Sequence, residues 1–383
     1  MVIKPLLITN RHHKGDIAFS TGRAKLRSIC PSSFTNGDNM LNTTLRLALG
    51  NPVRTTLSAC VLATLATFAL SGSAIAQTAA AVPANAPKGT VRLTSTFPTG
   101  SGPDVVARLV AAKMATRWGS QVIVEAKPGG AGVNAINSMK RLPATGNDLV
   151  VVDVGNIVIN PLIFKKLAYD PDKDLTPVAI LYKAAFFVAV GADSPIKSIK
   201  DLEIAAKGSV PLAYGSNAVG GPLHLGAARL ASAMGAEMQH VPYKETSQLY
   251  PAVSTGEVAW AYGSIATAGA LMRGNKLRFL AVADKTRSPV LPDVPTLEEA
   301  GGPKGMDALT WVAIMAPAGT PQAVVDEINA AVNDAMTQPD MKEKMVGFGF
   351  YPSAGPAKQV ADLTLADRTK YAEILKKVKV EVD

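Results

Sequence analysis

The chain has 383 residues, 48% of them apolar, a formal charge of +9 and two cysteines. That length exceeds what one compact domain usually holds, and the apolar share suffices for sizeable cores, so two lobes are expected. The positive charge invites a nucleic-acid or membrane-surface partner, but most of it lies in an N-terminal stretch that reads as targeting sequence, which excludes nucleic acid as the expected partner.

Residues 1–39 carry Arg11-His12-His13-Lys14, Arg23, Lys25 and Arg27 with almost no apolar periodicity. They read as an over-long extension ahead of a true start at Met40, with a genuine cytosolic extension as the alternative. Residues 40–76 then read as a secretory signal peptide. Arg46 and Arg54 precede the apolar run Val61–Leu70, and Ala74-Ile75-Ala76 supplies a small-x-small site. The run is too short for a membrane span, which needs roughly 20 residues, and cleavage is expected after Ala76. Removing residues 1–76 takes eight Lys and Arg and two acids from totals of 39 and 30, leaving a formal +3. Cys30 and Cys60 leave with it, so the mature chain has no disulfide and no thiolate metal site. Leu57-Ser58-Ala59-Cys60 looks like a lipoprotein box but precedes the apolar core instead of following it.

Residues 77–88 are Ala- and Pro-rich and read as a leader linker. Apolar strands are expected at Val91–Thr96, Val122–Glu125, Leu149–Val154, Val178–Leu181, Phe187–Val190, Pro211–Tyr214, Met238–Pro242, Ala259–Tyr262, Leu277–Val282 and Trp311–Ala316. Helical spacing recurs between them, as in Val105, Val106, Leu109, Val110 and Met114, and again in Leu223, Leu225, Ala228, Leu230 and Met234. Short strands alternating with helices imply α/β units with mostly parallel sheets. Thr320-Pro321 reads as a helix start with Thr as cap. A last helix is expected from Val360 to Lys377, with Leu363, Tyr371, Ile374 and Leu375 inward.

Three glycine-rich turns each follow a strand and open a helix. In Phe97-Pro98-Thr99-Gly100-Ser101-Gly102-Pro103-Asp104, backbone N–H groups and the positive end of the helix dipole would converge on an anion. The alternative is an ordinary strand-to-helix turn that uses glycine for positive φ. A dinucleotide fingerprint lacks its third glycine, and no Gly-Lys-Ser/Thr exists for a P-loop. Pro128–Asn134 is the second turn, either a close approach between lobes or a flexible connector. Tyr214–His224 is the third, whose helix opening at Pro222 could grip the far end of a small diacid.

Other motifs exclude more than they include. Asp170-Pro171-Asp172-Lys173-Asp174 begins like a calcium loop, but Leu175 and Leu181 stand where Gly and Glu are needed, so a capped helical turn is expected. His224 and His240 are the only histidines after residue 76. Neither has a carboxylate at i, i+4 spacing, and Gly100-Ser101-Gly102 is no nucleophile elbow. His224 would bond a ligand or fix local backbone, and His240 reads as structural. No metal and no cofactor is expected.

The motifs as a set resemble the Bug family, the periplasmic solute-binding receptors of tripartite tricarboxylate transporters. The similarity runs from about Lys88 to the C-terminus. It is carried by Phe97-Pro98-x-Gly100-x-Gly102-x-Asp104, Asn160-Pro161-Leu162, Tyr169-Asp170-Pro171-x-Lys173-Asp174-Leu175-x-Pro177-Val178 and Val241-Pro242-Tyr243-Lys244. It continues in Lys276-Leu277-Arg278, Pro292-Asp293-Val294-Pro295-Thr296-x-x-Glu299-Ala300-Gly301 and Ala316-Pro317-Ala318-Gly319-Thr320-Pro321. The resemblance implies a two-lobed α/β periplasmic binding protein, type II-like, with two strands crossing the hinge. Lobe 1 would comprise residues 89–188 and 286–383, and lobe 2 residues 189–285. It implies a monomeric, non-enzymatic receptor for a small organic anion, a carboxylate above all, delivered to membrane transporter subunits. Phe97, Thr99, Gly100, Ser101 and Asp104 would form one wall, and Gly155 and Asn156 the floor. Ser216, Asn217, Gly220 and Gly221 would supply the second lobe's grip, with Tyr243 and Ser264 near the rim.

This chain departs from the family pattern at three places. Pro103 replaces a residue that would donate an N–H, Gly221 stands where Ser or Thr is usual, and Gly263 stands where many members carry Asp. These departures favour an uncharged or plain acid ligand over an amino acid. The rivals are an orphan sensor that contacts a signalling receptor, and a hydrolase using Ser101 or Ser216 with His224.

Overall fold

The computed structural model describes residues 82–378 and 380. The extension, the signal peptide with its cleavage site after Ala76, both cysteines and the start of the leader linker lie outside the described residues. Among the described residues, no helix is long and apolar enough to cross a membrane.

Two sheets carry the fold. The first contains β1 (Val91–Ser95), β2 (Val122–Ala126), β3 (Asp148–Asp153), β4 (Leu175–Ala185), β10 (Leu309–Pro317) and β11 (Phe350–Pro352), in the order β11-β4-β10-β3-β1-β2. The second contains β5 (Phe187–Gly191), β6 (Ala213–Ser216), β7 (Gln239–Pro242), β8 (Trp260–Gly263) and β9 (Leu277–Val282), in the order β7-β6-β8-β5-β9. All ten expected strands are present, shifted by a few residues at most ends; β4 is much longer than expected, and β11 is additional. Runs such as Leu149-Val150-Val151-Val152 are buried along their whole length because helices cover both sheet faces.

The expectation of mostly parallel sheets is corrected. β1 runs parallel to β2 and β3, and β6 to β7 and β8. The remaining pairs, β3/β10, β4/β10, β4/β11, β5/β8 and β5/β9, are antiparallel. The cause is the interlobe connection. β4 leads out of the first lobe and β10 leads back in, so the two must run in opposite directions.

The helices are α1 (Gly102–Trp118), α2 (Val133–Met139), α3 (Asn160–Ile163), α4 (Pro171–Asp174), α5 (Ile199–Ala206) and α6 (Pro222–Ala233). They continue with α7 (Thr246–Thr255), α8 (Ile265–Arg273), α9 (Gln322–Thr337), α10 (Pro339–Phe348) and α11 (Lys358–Lys377). Val106, Val110 and Met114 of α1 are buried against β1 and β3, beside Val325, Ile328 and Val332 of α9. In α11, Val360, Tyr371 and Ile374 are buried, with Leu363 and Leu375 packed beside them. α4 is the expected capped turn, with the Asp170 side chain accepting from Asp172 N–H. Thr320 does not cap α9. The N-cap is Pro321, and the Thr320 hydroxyl donates to Pro317 O at 2.7 Å, closing the turn before it.

The hinge is a small hydrogen-bonded junction. Phe186, between β4 and β5, donates its N–H to Ala308 O (3.2 Å) and accepts from Ala283 N–H (2.8 Å), while Ala308 N–H donates to Ala283 O (2.8 Å). Lobe 2 therefore starts at Phe187 and extends through Ala308, which corrects the expected boundaries at 188/189 and 285/286. Leu297 and Ala308 are buried in the second lobe's core with Trp260 and Tyr262. Thr296 bridges Val282, and Arg229 holds Gly305 O and Asp307 O. Long-range packing assigns residues 286–308, which have no periodicity of their own.

Candidate functional site

Ligands of open α/β sheets bind beyond the carboxyl ends of the parallel strands. In lobe 1 those ends carry the first turn after β1, the second turn after β2, and residues 154–156 after β3. In lobe 2 they carry the third turn after β6, Tyr243 after β7 and Ser264 after β8. The two sets face each other. A Cβ on Gly102 would lie 3.6 Å from Ala266 Cβ, bringing the start of α1 against the start of α8. Leu225 in the first turns of α6 is buried among Ile136, Ile157 and Tyr371 of lobe 1.

The first turn is stiffer than its sequence suggests. Gly100, at φ +80°, donates its N–H to Asp104 Oδ2 at 2.9 Å. Asp104, only 1% exposed, also accepts from Arg108 Nε (2.9 Å) and its Nη2 (3.1 Å). Arg108 is held protonated above its ordinary range, chiefly by that hydrogen bond. The Asp104 carboxylate thus braces the turn and is not directed at a ligand. The Ser101 N–H and hydroxyl both donate to Pro98 O. Among the described residues, the N–H groups of Thr99, Gly102 and Asp104 have no protein partner, and the Thr99 hydroxyl is exposed. Phe97 is half-buried against the first core, its N–H held by Ser95 Oγ.

Asn156 knots the floor. Its Oδ1 accepts from Thr96 Oγ1 (3.1 Å) and Asp153 N–H (3.2 Å), and its Nδ2 donates to Ala131 O (2.9 Å). Asn160 Nδ2 donates to the same carbonyl (2.8 Å) and to Tyr169 Oη (2.9 Å), whose hydroxyl donates to Asn156 O (2.6 Å). Asn156 therefore ties the three turns together and positions them, and the second hydrogen of its Nδ2 has no protein partner among the described residues. Gly132, at φ +87°, admits the Asn156 amide where a Cβ would overlap it. Asn160, Tyr169 and Thr96 were not among the expected site residues, and their role emerges only from the fold.

Asp153 was also missed. It ends the apolar strand β3, and its Oδ1 accepts from Asn156 N–H at 3.0 Å. Burial pushes its carboxyl up to about 6, against the opposing N–H groups of Asn156 and Gly155. Gly155 lies directly beside it, 3.0 Å from Oδ1 measured from where a Cβ would stand.

In lobe 2, Ser216 is fully buried and lies 2.7 Å from His240 Nε2 and 3.1 Å from Ala218 O. A hydroxyl has one proton. It goes either to Ala218 O, with His240 Nε2–H donating to Ser216 Oγ, or to His240 Nε2, according to the imidazole tautomer. Gly220, at φ +74°, donates its N–H to His224 Nδ1 at 2.9 Å, so His224 fixes the turn's backbone. The two imidazoles stack with centroids 3.7 Å apart. His224 is pushed down to about 4, first by burial and then by His240. Gly221 N–H closes onto Ala218 O, and the half-buried Asn217 side chain has no partner among the described residues.

Ser264 caps α8 in a capping box with Thr267. Tyr243 points elsewhere. Its hydroxyl donates to Glu257 Oε1 at 2.9 Å, near the amino end of β8 and away from the carboxyl-end crevice. Gly263 could not host an Asp directed at a ligand, because its Cβ position faces Ala268 and Tyr250 at 3.0 Å, inside the lobe. The starts of α1, α6 and α8 bring three positive dipole ends to one crevice, an arrangement that favours a trapped anion. No cluster of metal-ligating side chains occurs among the described residues.

Comparison with known proteins is consistent with this geometry. Residues 106–380 match the model of the tripartite tricarboxylate transporter family receptor. A UPF0065 protein from the gbd 5′ region of Cupriavidus necator is 32% identical over 305 residues, covering 78% of this chain and 92% of that one. A solved R. palustris protein with adipate superposes with a TM-score of 0.72 at 26% identity, covering 77% of this chain and 99% of that one. MatC from Rhodopseudomonas palustris with bound malate gives 0.68 at 28% identity, covering 76% and 99%.

Proposed function

The chain belongs to the tripartite tricarboxylate transporter receptor family, and from that premise we propose that it captures a small carboxylate between its lobes and presents it, unchanged, to a membrane transporter. The observation that carries this reading is the set of unpartnered N–H groups at Thr99, Gly102 and Asp104, held rigid by Asp104 and Asn156 opposite the start of α8. Closure removes water, and the low dielectric strengthens each N–H to carboxylate bond. Hinge rotation about Phe186 lets one lobe bind first and the other complete the shell. Relatives solved with adipate and malate support a dicarboxylate of that size.

Calorimetric titration with malate and adipate tests the reading. Gly100→Asp should abolish binding by placing a negative charge in the turn. Its Cβ meets open space, so the fold should lose only about 1 kcal/mol from the positive φ. Unchanged affinity in that variant would remove the site from the first turn.

One observation favours a second reading, a serine hydrolase: the 2.7 Å contact of Ser216 with His240, where the sequence suggested His224. Against it, Ser216 is fully buried and no carboxylate orients His240 among the described residues. Ser216→Ala should leave malate unconverted, as in the parent protein. Ester or amide turnover that this substitution abolishes would establish the hydrolase instead.

A further inference from the structure

Asp153 is an acid at the mouth of an anion site. Its register fixes where it points. Asp153 stands opposite Val312 on β10, and Val312 opposite Tyr182 on β4. Directly opposed residues in antiparallel pairs share a face, so the three side chains form one row across the sheet. The row continues to Phe350, stacked on Tyr182 with centroids 4.0 Å apart. The Phe350 ring in turn lies 2.9 Å from where a Cβ on Gly102 would stand, at the start of α1. The row is also close to the hinge. β10 enters the sheet at Leu309, just before Val312, and β4 leaves it at Ala185, just after Tyr182. Asp153 thus lies on the α1 face of lobe 1, at the end that looks toward lobe 2.

Among the described residues it meets backbone N–H groups at the start of the helical segment after β3, in a reciprocal capping pair with Asn156, but no cationic side chain. Asn156 N–H satisfies Oδ1, and Oδ2 has no hydrogen-bond partner among the described residues. The titratable groups that feel its charge are Tyr182 on β4, Tyr371 on α11 and Tyr169 beyond α3, all acids when they titrate. No Lys, Arg or His forms an ion pair with it among the described residues. Burying half of an unpaired carboxylate is unfavourable unless a donor meets it.

We propose, building on the anion-receptor reading, that Asp153 is a specificity-determining residue: its Oδ2 accepts a hydrogen bond from an O–H or N–H that the ligand carries beside its carboxylate. The preferred ligands are then hydroxy or amino acids, and fully ionised acids without a donor are rejected by charge repulsion. This reverses the preference for plain acids that the sequence departures suggested.

The test is titration with two matched sets, succinate, malate and aspartate, and phenylacetate, mandelate and phenylglycine, at pH 7.5. Within a set that binds, the hydroxy or amino member should bind about tenfold or more tighter than the plain acid. Which of the two wins separates the O–H from the N–H donor. Asp153→Asn should shrink that preference to about threefold or less, because the amide can donate to a plain acid. Lowering the pH from 7.5 to 5.5 should tighten plain-acid binding in the parent protein, as Asp153, raised to about 6, takes up a proton; Asp153→Asn should not respond. Equal binding across a set, or an unchanged preference in the variant, overturns the proposal and leaves the receptor reading intact. Failure of both sets to bind overturns the receptor reading, and the proposal with it.

Discussion

Asn156 gathers Thr96, Asp153 and Ala131 with one side chain, and so couples turns that follow three different strands. Asn156→Ala strands the Asp153 N–H and should cost about 2 kcal/mol, read as a fall in the urea midpoint. It should also weaken ligand binding severely, since the turns lose their mutual alignment. Undiminished affinity would show that the turns hold their places without it. His224 acts on the other lobe through acid sensitivity. Its pKa is depressed from 6.5 to about 4, so the unfolded chain takes up the proton first. The stabilisation from keeping it neutral is complete above about pH 6.5 and is lost as pH falls toward 4, amounting to about 2–3 kcal/mol. Urea midpoints at pH 7.5 and 5.0 should diverge in the parent protein and much less in His224→Asn, whose side-chain oxygen can still accept from Gly220 N–H. Equal divergence in both would place the acid sensitivity elsewhere. Asp104 shows where residue-level reading stops. The motif signals a turn that presents N–H groups, but the carboxylate four residues on consumes the one at Gly100. Only the folded geometry reveals which donors are left.

The elements were legible where their pattern was local. Strands such as Leu277–Val282 are apolar runs bounded by turn residues, and α1 has Pro103 at its start and Gly119, at φ +59°, at its end. β11 was not legible, since three residues after Gly349 carry no period. Strand direction was not legible either, because an apolar run reads the same whichever way its neighbour travels. Asp153 was visible as an acid closing an apolar strand, but its lack of a counter-charge needed the whole sheet. At this scale the glycines of the turns separate into two kinds. Gly132→Ala incurs the positive-φ cost and also drives a methyl into the Asn156 amide. Gly235→Ala, at φ +66° with nothing within 4 Å, incurs the φ cost alone, about 1 kcal/mol. Binding should fall about tenfold or more in the first and stay within about twofold in the second, since one kcal/mol or more of misalignment changes affinity by such factors. Equal effects in both would mean that the second turn does not shape the site.

The described residues form two lobes joined at Phe186, Ala283 and Ala308, touching across the crevice at Gly102 and Ala266. The 3.6 Å spacing there suits a disulfide. Gly102→Cys with Ala266→Cys, after the end of the Phe350 ring shifts aside, should lock the lobes when oxidised. Ligand exchange should then stop, and reduction should restore it; free exchange in the locked protein would mean that opening is not required. Such a lock tests motion, whereas the account rests on where the anion is held. Amide hydrogen exchange with and without malate addresses that directly. The account predicts that residues 97–104 and 216–221, one turn from each lobe, gain protection together and with the same malate dependence. Protection confined to one lobe, or found only outside these two turns, would contradict it.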